Sequence, residues 1–88
     1  MLSVQYIDYG VGNKKSVINA LDKLGKKVLL VTKIEDLDPS IPIILPGVGS
    51  FLHCRNELVR LGFFDPLNEM LKEGEIKKLI GICVGMQI

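Results

Sequence analysis

The stretch Ile80-Gly81-Ile82-Cys83-Val84-Gly85 places a cysteine between two glycines, directly after an apolar run. This pattern predicts a strand, a sharp turn that presents the cysteine, and a following helix. Glycine is favoured beside such a turn because larger side chains would collide with neighbouring backbone. The sulfur would lie near the N-terminus of the next helix, whose dipole favours the thiolate that attacks a carbonyl carbon. We therefore predict a nucleophilic Cys83, against the alternative of a small buried apolar residue at a strand end.

The rest of the chain divides into short strands and helices, as judged from hydrophobic periodicity and the spacing of glycine and proline. Strands are predicted at 2–8, 27–32, 42–45 and 76–82, and loops at 9–13, 33–40 and 46–50. A first helix is predicted between its N-cap Asn13 and Gly25, and a second from 51 to 61, before Gly62. A third helix is predicted from its N-cap Asp65 to Gly74, with Pro66 at its first position. This alternation predicts an α/β fold with a parallel sheet, in which ligands gather at the carboxyl ends of the strands.

Length and composition restrict the classes of protein to which the chain can belong. Its 88 residues, 48% apolar and 24% charged, predict one small globular domain. A net charge of +1 argues against a nucleic-acid partner, and no apolar segment approaches the roughly 20 residues of a membrane span. Residues 1–9 lack the pattern of a secretion signal, so we expect a cytoplasmic protein. Cys54 and Cys83 are then expected as thiols, because a disulfide would silence the nucleophile.

A second candidate group lies in Pro46-Gly47-Val48-Gly49, directly after the third predicted strand. A glycine-flanked loop at a neighbouring strand end can present backbone N–H groups to the target of the sulfur. With the N–H of Val84, the residue after the nucleophile, it would form an oxyanion hole. The alternative is an ordinary strand-to-helix turn, since proline and glycine mark loops everywhere.

Two other features carry weaker predictions. Gly10 and Gly12 form a G-x-G after the first strand. Neither a third glycine nor a distal acidic residue follows at the spacing that a dinucleotide-binding site requires. We therefore interpret this segment as a structural turn or as a turn that faces a partner. His53 is the single histidine, and we interpret it as an exposed or helix-capping residue rather than a catalytic base. One histidine and two distant cysteines do not supply the four ligands of a zinc site.

Three segments in the same order and spacing, 7–17, 46–51 and 81–87, together resemble the glutaminase subunits of imidazole glycerol phosphate synthase, which are triad-type (class I) glutamine amidotransferases. Their sequences are Ile7-Asp-Tyr-Gly-Val-Gly-Asn13 with Ser16-Val17, Pro46-Gly-Val-Gly-Ser-Phe51, and Gly81-Ile-Cys-Val-Gly-Met-Gln87. The likeness runs from Met1 to Ile88. It implies a flavodoxin-like fold with helices on both faces of a parallel sheet.

The resemblance also implies an activity. Cys83 would attack the carboxamide of glutamine, and the released ammonia would pass to a cyclase subunit of (β/α)₈-barrel type, without a metal or other cofactor. The roles carried over are an oxyanion hole from Val48 and Val84, a substrate site from Gly47, Gly49 and Gln87, and a partner interface from Tyr9, Gly10, Gly12 and Asn13.

Chains of that family are about twice as long, and their second half carries the His and Glu of the triad. We therefore expect residues 1–88 to be the N-terminal part of a single amidotransferase domain, ending after the nucleophile, inactive alone and with an apolar sheet edge exposed. The alternatives are a paralogue that feeds ammonia to another synthase, a thiol hydrolase of the same superfamily, and a non-catalytic fragment that binds a barrel partner.

Overall fold

The computed structural model describes residues 3–48, 51–76 and 78–84, with the backbone alone at 48, 51 and 82–84. Within these ranges the chain forms four strands and three α-helices. In chain order they are β1 (Ser3–Ile7), α1 (Lys14–Lys23), β2 (Lys27–Val31), β3 (Ile43–Val48), α2 (Phe51–Arg60), α3 (Phe64–Lys72) and β4 (Leu79–Val84). The predicted α/β pattern is therefore confirmed.

The four strands form one parallel sheet in the order β2-β1-β3-β4. The chain first steps outward from β1 to β2, then returns past β1 to β3 and continues to β4. Crossovers between parallel strands are right-handed, so the two directions of travel use opposite faces of the sheet. This order is that of flavodoxin-like folds, whose ligands bind where the direction reverses, outside the carboxyl ends of the strands.

Two apolar cores confirm that helices cover both faces of the sheet. One face joins Tyr6 and Ile44 to Val17 and Leu21 of α1. The other face is covered by α2, α3 and the turn before α3, which contribute Cys54, Leu58, Leu67 and Phe63 to the core around Ile7 and Ile43. Neighbours along each strand thus point to opposite cores, as the pleat of a strand requires.

Gln5 ties the connection between β2 and β3 to the middle of the sheet. This residue is 1% exposed, and its side-chain nitrogen donates to the carbonyls of Asp38 (2.6 Å) and Ile41 (3.1 Å). Its side-chain oxygen accepts from the backbone N–H of Asp38 (2.7 Å). The Asp38 carboxylate in turn accepts from the hydroxyl and N–H of Ser40, which lowers the pKa of Asp38. One buried amide therefore satisfies three backbone groups of a segment that has little regular structure of its own.

Some boundaries differ from those predicted. Strand β3 extends to 48 instead of 45, and β4 covers 79–84 instead of 76–82. A 3₁₀ turn (Ile34–Asp36) lies in the loop predicted at 33–40. Helix α3 begins at Phe64, and its N-cap is Phe63 instead of the predicted Asp65. Pairing of β3 with β4 over six positions explains the first two differences. The third helix starts early because Phe63 is fully buried and its N–H bonds to the carbonyl of Leu58 (2.9 Å).

The predicted N-cap of α1 and the predicted glycines after the three helices are confirmed. Asn13 caps α1, accepting a hydrogen bond from the N–H of Ser16 (3.3 Å). The glycines that follow the three helices, Gly25, Gly62 and Gly74, all have positive φ, which most other residues avoid.

An apolar sheet edge is exposed, as predicted. Strand β4 lies at one edge of the described sheet, and Leu79 and Ile80 remain 36% and 37% exposed. Ile80 lies in register with the buried Ile44, so its side chain shares the face of the sheet that α1 covers farther along.

The helices are all short. They contain 9 or 10 residues, about half of what a membrane span needs. Within the described ranges no helix is both long and apolar enough to cross a membrane.

Candidate functional site

The carboxyl ends of β3 and β4 bring the predicted nucleophile and oxyanion residues together. In the parallel register Gly47 lies beside Cys83, and Val48 lies beside Val84. Neighbouring strands in a sheet are about 4.8 Å apart, so the backbones of these four residues lie close together at one edge of the sheet. Cys83 and Gly47 are 36 residues apart along the chain, and only the pairing of β3 with β4 makes them neighbours.

Part of the predicted 46–50 loop is strand instead. Residues 46–48 belong to β3, and Cys83 and Val84 belong to β4 rather than to a turn. Proline is tolerated in this strand because β3 pairs with β1 only at Ile43 and Ile44, so at Pro46 it is paired on one side. The predicted turn after Cys83, the two remaining loop residues Gly49 and Ser50, and Gln87 lie outside the described residues.

Tyr9 connects the first loop to the end of β3. It follows β1 closely, is 1% exposed, and its hydroxyl donates a hydrogen bond to the carbonyl of Pro46. Its ring belongs to the core on the face of α2 and α3. Among the residues predicted to face a partner, Tyr9 therefore points inward, whereas Gly10, Gly12 and Asn13 are exposed.

Gly12 makes a second contact between the same loop and β3. It has φ +91°, and a Cβ built on it would lie 2.8 Å from the Cβ of Pro46 and 3.5 Å from the hydroxyl of Tyr6. Contacts of 2.8 Å between carbons are strongly repulsive, so the loop can approach the proline ring this closely only at a glycine. Gly10 has a similar φ of +82° but nothing within 4 Å of its built Cβ.

We expect Gly12→Ala to destabilise the chain by about 2–4 kcal/mol, from positive-φ strain plus overpacking against Pro46. Gly10→Ala is the matched control: it carries only the strain, about 1 kcal/mol. Urea unfolding followed by circular dichroism measures both. Equal losses in the two variants would show that the contact of Gly12 with Pro46 does not constrain the loop.

His53 lies on the exposed surface of α2, as the sequence suggested. Its charge acts on Glu57, one turn farther along the same helix. The pKa of Glu57 is lowered chiefly by its hydrogen bonds from Arg60, with a smaller electrostatic contribution from His53. The imidazole is thus exposed and acts electrostatically on a surface carboxylate.

Other parts of the described chain offer little chemistry. A groove of about 270 Å³ between α1 and β3 is lined by Val17, Ala20, Leu21, Ile44 and a single polar residue, Ser16. Such an apolar lining has almost nothing to orient a polar substrate. In the segments whose placement is described, no three His, Cys, Asp or Glu side chains converge as a metal site would require.

Sequence reasoning missed the link between Tyr9 and Pro46. The two residues are 37 positions apart, and neither has a neighbour pattern that identifies the other as its hydrogen-bond partner. It also missed the hydrogen bonds from the side chain of Gln5 to the carbonyls of Asp38 and Ile41. Gln5 is a polar residue in a largely apolar strand. A buried glutamine needs partners, so the residue itself was a signal, but its partners depend on how the chain returns to β1.

Comparison with known proteins gives the chain close relatives, although no protein-family model matches it. It is 41% identical over 87 residues to the imidazole glycerol phosphate synthase hisHF of Emericella nidulans, which covers 99% of this chain and 15% of that protein. It is 36% identical over 88 residues to the imidazole glycerol phosphate synthase subunit HisH of Geobacter sulfurreducens, covering 100% of this chain and 41% of that subunit. The subunit HisH of Staphylococcus aureus is 42% identical over 82 residues, 93% of this chain and 41% of that subunit.

The chain thus spans less than half the length of these relatives, while nearly all of its own residues are matched. The parallel sheet with strand order β2-β1-β3-β4 agrees with the flavodoxin-like fold that the resemblance implied. The chain is therefore similar to HisH subunits of imidazole glycerol phosphate synthase, over its whole length for the Geobacter sulfurreducens subunit and over 93% of its length for the Staphylococcus aureus subunit.

Proposed function

We propose that residues 1–88 form the nucleophile-bearing part of a glutamine amidotransferase domain that serves imidazole glycerol phosphate synthesis in histidine biosynthesis. Cys83 attacks the carboxamide carbon of glutamine, ammonia leaves, and water then hydrolyses the thioester to glutamate. The backbone N–H groups of Val48 and Val84 stabilise the oxyanion, and Gly47, Gly49 and Gln87 line the substrate site. The ammonia passes to a cyclase subunit of (β/α)₈-barrel type.

The observation that carries this proposal is the register of β3 and β4. It sets Cys83 beside Gly47 and Val84 beside Val48, at the carboxyl edge of a parallel sheet. A thioester-forming enzyme needs a nucleophile and N–H donors within a few ångströms of one carbonyl group. The register supports the proposal because it keeps the backbones of Val48 and Val84 next to each other at this edge of the sheet. The names of the relatives supply the enzyme, imidazole glycerol phosphate synthase, and the resemblance of the three sequence segments implies glutamine as the substrate.

We propose that the base for Cys83 comes from outside these 88 residues. A thiol nucleophile needs an imidazole within hydrogen-bond reach to form the thiolate and to protonate the leaving ammonia. His53 is the only histidine, and it lies beside Glu57 on the surface of α2. We therefore propose that the 88-residue polypeptide does not hydrolyse glutamine by itself, and that it acts as part of a larger assembly.

A chimera tests the proposal directly. These 88 residues replace the stretch that they match in the Geobacter sulfurreducens HisH subunit, and the product is mixed with that organism's cyclase subunit. We expect turnover of the synthase with glutamine as the nitrogen source, whereas the isolated 88-residue chain releases no glutamate. Free ammonia in place of glutamine is the control for an intact cyclase.

The outcomes separate the readings of the chain. A folded chimera that binds the cyclase but supports turnover only with free ammonia would contradict the proposed activity, and would favour a non-catalytic fragment that binds a barrel partner. Glutamate release by the 88-residue chain alone would contradict the requirement for an external base. A chimera that hydrolyses glutamine without sustaining the synthase would indicate a paralogue that serves another partner.

The cyclase is proposed to dock over the first loop. Gly10, Gly12 and Asn13 are exposed there, beside the end of β3 that carries Gly47. Tyr9, which the sequence placed with them, is buried beneath the loop. Any contribution of Tyr9 to the partner's effect on the site is therefore made from inside the domain.

A further inference from the structure

The buried hydroxyl of Tyr9 lies at a position where it can control a backbone peptide next to the candidate nucleophile. It donates to the carbonyl of Pro46, which is itself buried, in a contact that spans 37 residues of sequence. The residue after Pro46 is Gly47, which lies in register with Cys83. The hydrogen bond therefore acts on the peptide that joins Pro46 to Gly47, the residue beside the nucleophile on β3.

The geometry of the peptide unit determines what this bond fixes. The carbonyl of Pro46 and the N–H of Gly47 belong to one planar group, so holding the oxygen also holds the direction of that N–H. The next peptide, between Gly47 and Val48, remains adjustable because glycine permits a wide range of backbone angles. Tyr9 thus fixes the peptide before Gly47. The peptide after Gly47, which carries the Val48 N–H, can still change its orientation.

The loop that carries Tyr9 is also held against the same residue by packing. Gly12 approaches the proline ring so closely that a Cβ there would lie 2.8 Å from it. A hydrogen bond and a steric contact thus converge on Pro46 from two positions of one loop. Neither contact depends on the side chain of Cys83.

We propose that Tyr9 is a positioning residue, whose hydroxyl holds the Pro46–Gly47 peptide and so sets the starting geometry of the oxyanion donors opposite Cys83. This role rests on the proposed function, because it concerns donors that matter only if Cys83 forms a tetrahedral intermediate. The fixed peptide is a property of the fold and can be measured by itself.

Tyr9→Phe removes the hydroxyl and keeps the ring in the core. Its matched control is Tyr6→Phe: Tyr6 is also fully buried, but its hydroxyl has no hydrogen-bond partner among the residues that the structure describes. Amide hydrogen exchange is measured by NMR on the 88-residue chain. We expect exchange at Gly47 and Val48 to rise on the order of tenfold in Tyr9→Phe, with β1 and β2 unchanged, and neither region to change in Tyr6→Phe.

The kinetic measurement uses the chimera. Tyr9→Phe is expected to lower kcat for glutamine on the order of tenfold with little change in KM, because the oxyanion donors act in the transition state rather than in substrate binding. Tyr6→Phe is expected to leave both constants unchanged. A loss that appears in KM alone would contradict the positioning role.

The exchange experiment also separates this proposal from the proposed function. Unchanged exchange at Gly47 and Val48 in Tyr9→Phe overturns the positioning role even if the chimera is active. Loss of protection spread evenly through β1 and β2 overturns it too, since the hydroxyl would then serve general stability. Raised exchange confined to the end of β3, in a chimera without glutaminase activity, supports the fixed peptide and refutes the proposed function.

Discussion

Replacing Cys83 by serine in the chimera is expected to lower glutamine-dependent turnover by a factor on the order of 10³ or more, while turnover with free ammonia is unchanged. A thiol ionises near pH 8.5 and is easily converted to the thiolate. A serine hydroxyl is a far weaker acid than a thiol, so it forms far less of the nucleophilic anion. Steady-state rates with each nitrogen source give the result, and mass spectrometry of the quenched enzyme checks for the glutamyl thioester.

Cys54→Ser is the matched control, since the chain has two cysteines and the same chemical change can be made at each. Cys54 is a buried thiol on α2, within the core of the face opposite α1. We expect this variant to lose some stability, because a hydroxyl is placed in an apolar core, but to keep glutamine-dependent turnover. Equal losses of activity in the two variants, or full activity in Cys83→Ser, would refute the assignment of the nucleophile.

Gln5→Glu is expected to destabilise the 88-residue chain by roughly 3–5 kcal/mol at neutral pH, as an unpaired buried charge does. The side-chain nitrogen of Gln5 donates to two carbonyl oxygens, those of Asp38 and Ile41. A carboxylate would turn an oxygen toward them and could only repel. Folded domains of ordinary size are stable by only about 5–15 kcal/mol, so the variant should unfold at a markedly lower urea concentration, as a titration followed by circular dichroism would show.

The pH dependence of this loss is a sharper test. Burial and the facing carbonyls raise the pKa of the new carboxyl in the folded state above its unfolded value of about 4.3. The penalty is therefore absent below pH 4, where both states are protonated, and grows as the pH rises toward the folded-state pKa. Gln5→Met, which removes the hydrogen bonds without adding a charge, is the control and should show no such trend. Parallel pH profiles for the two variants would contradict the contact.

Local sequence signals predicted much of the architecture correctly. Asn13 at the start of α1, and glycines at the ends of all three helices, act through backbone geometry within a few residues, so they can be recognised without knowledge of the fold. The boundaries that were wrong depend on distant partners. Residues 46–48 look like a loop because they contain proline and glycine, and become strand only because β4 pairs with them.

The candidate site shows the same division. Cys83 and the segment 46–49 were identified from the sequence, because a cysteine between glycines and a glycine-rich strand end each have a characteristic local form. That they are adjacent follows from the register of two strands. The resemblance implied that Tyr9 faces a partner, whereas the structure buries it and directs its hydroxyl to Pro46.

The sequence by itself determined the α/β class, the N-cap of α1, the glycines after the helices, the resemblance to the glutaminase subunits and the identity of the candidate nucleophile, because each depends on residues close together in the chain. The tertiary structure decided the neighbours: Gly47 beside Cys83, Tyr9 on the carbonyl of Pro46, and Gln5 on the carbonyls of Asp38 and Ile41. These contacts join residues more than 30 positions apart. They arise when strands pair and apolar faces are buried together, and the energy of that collective packing is not contained in any local stretch of sequence.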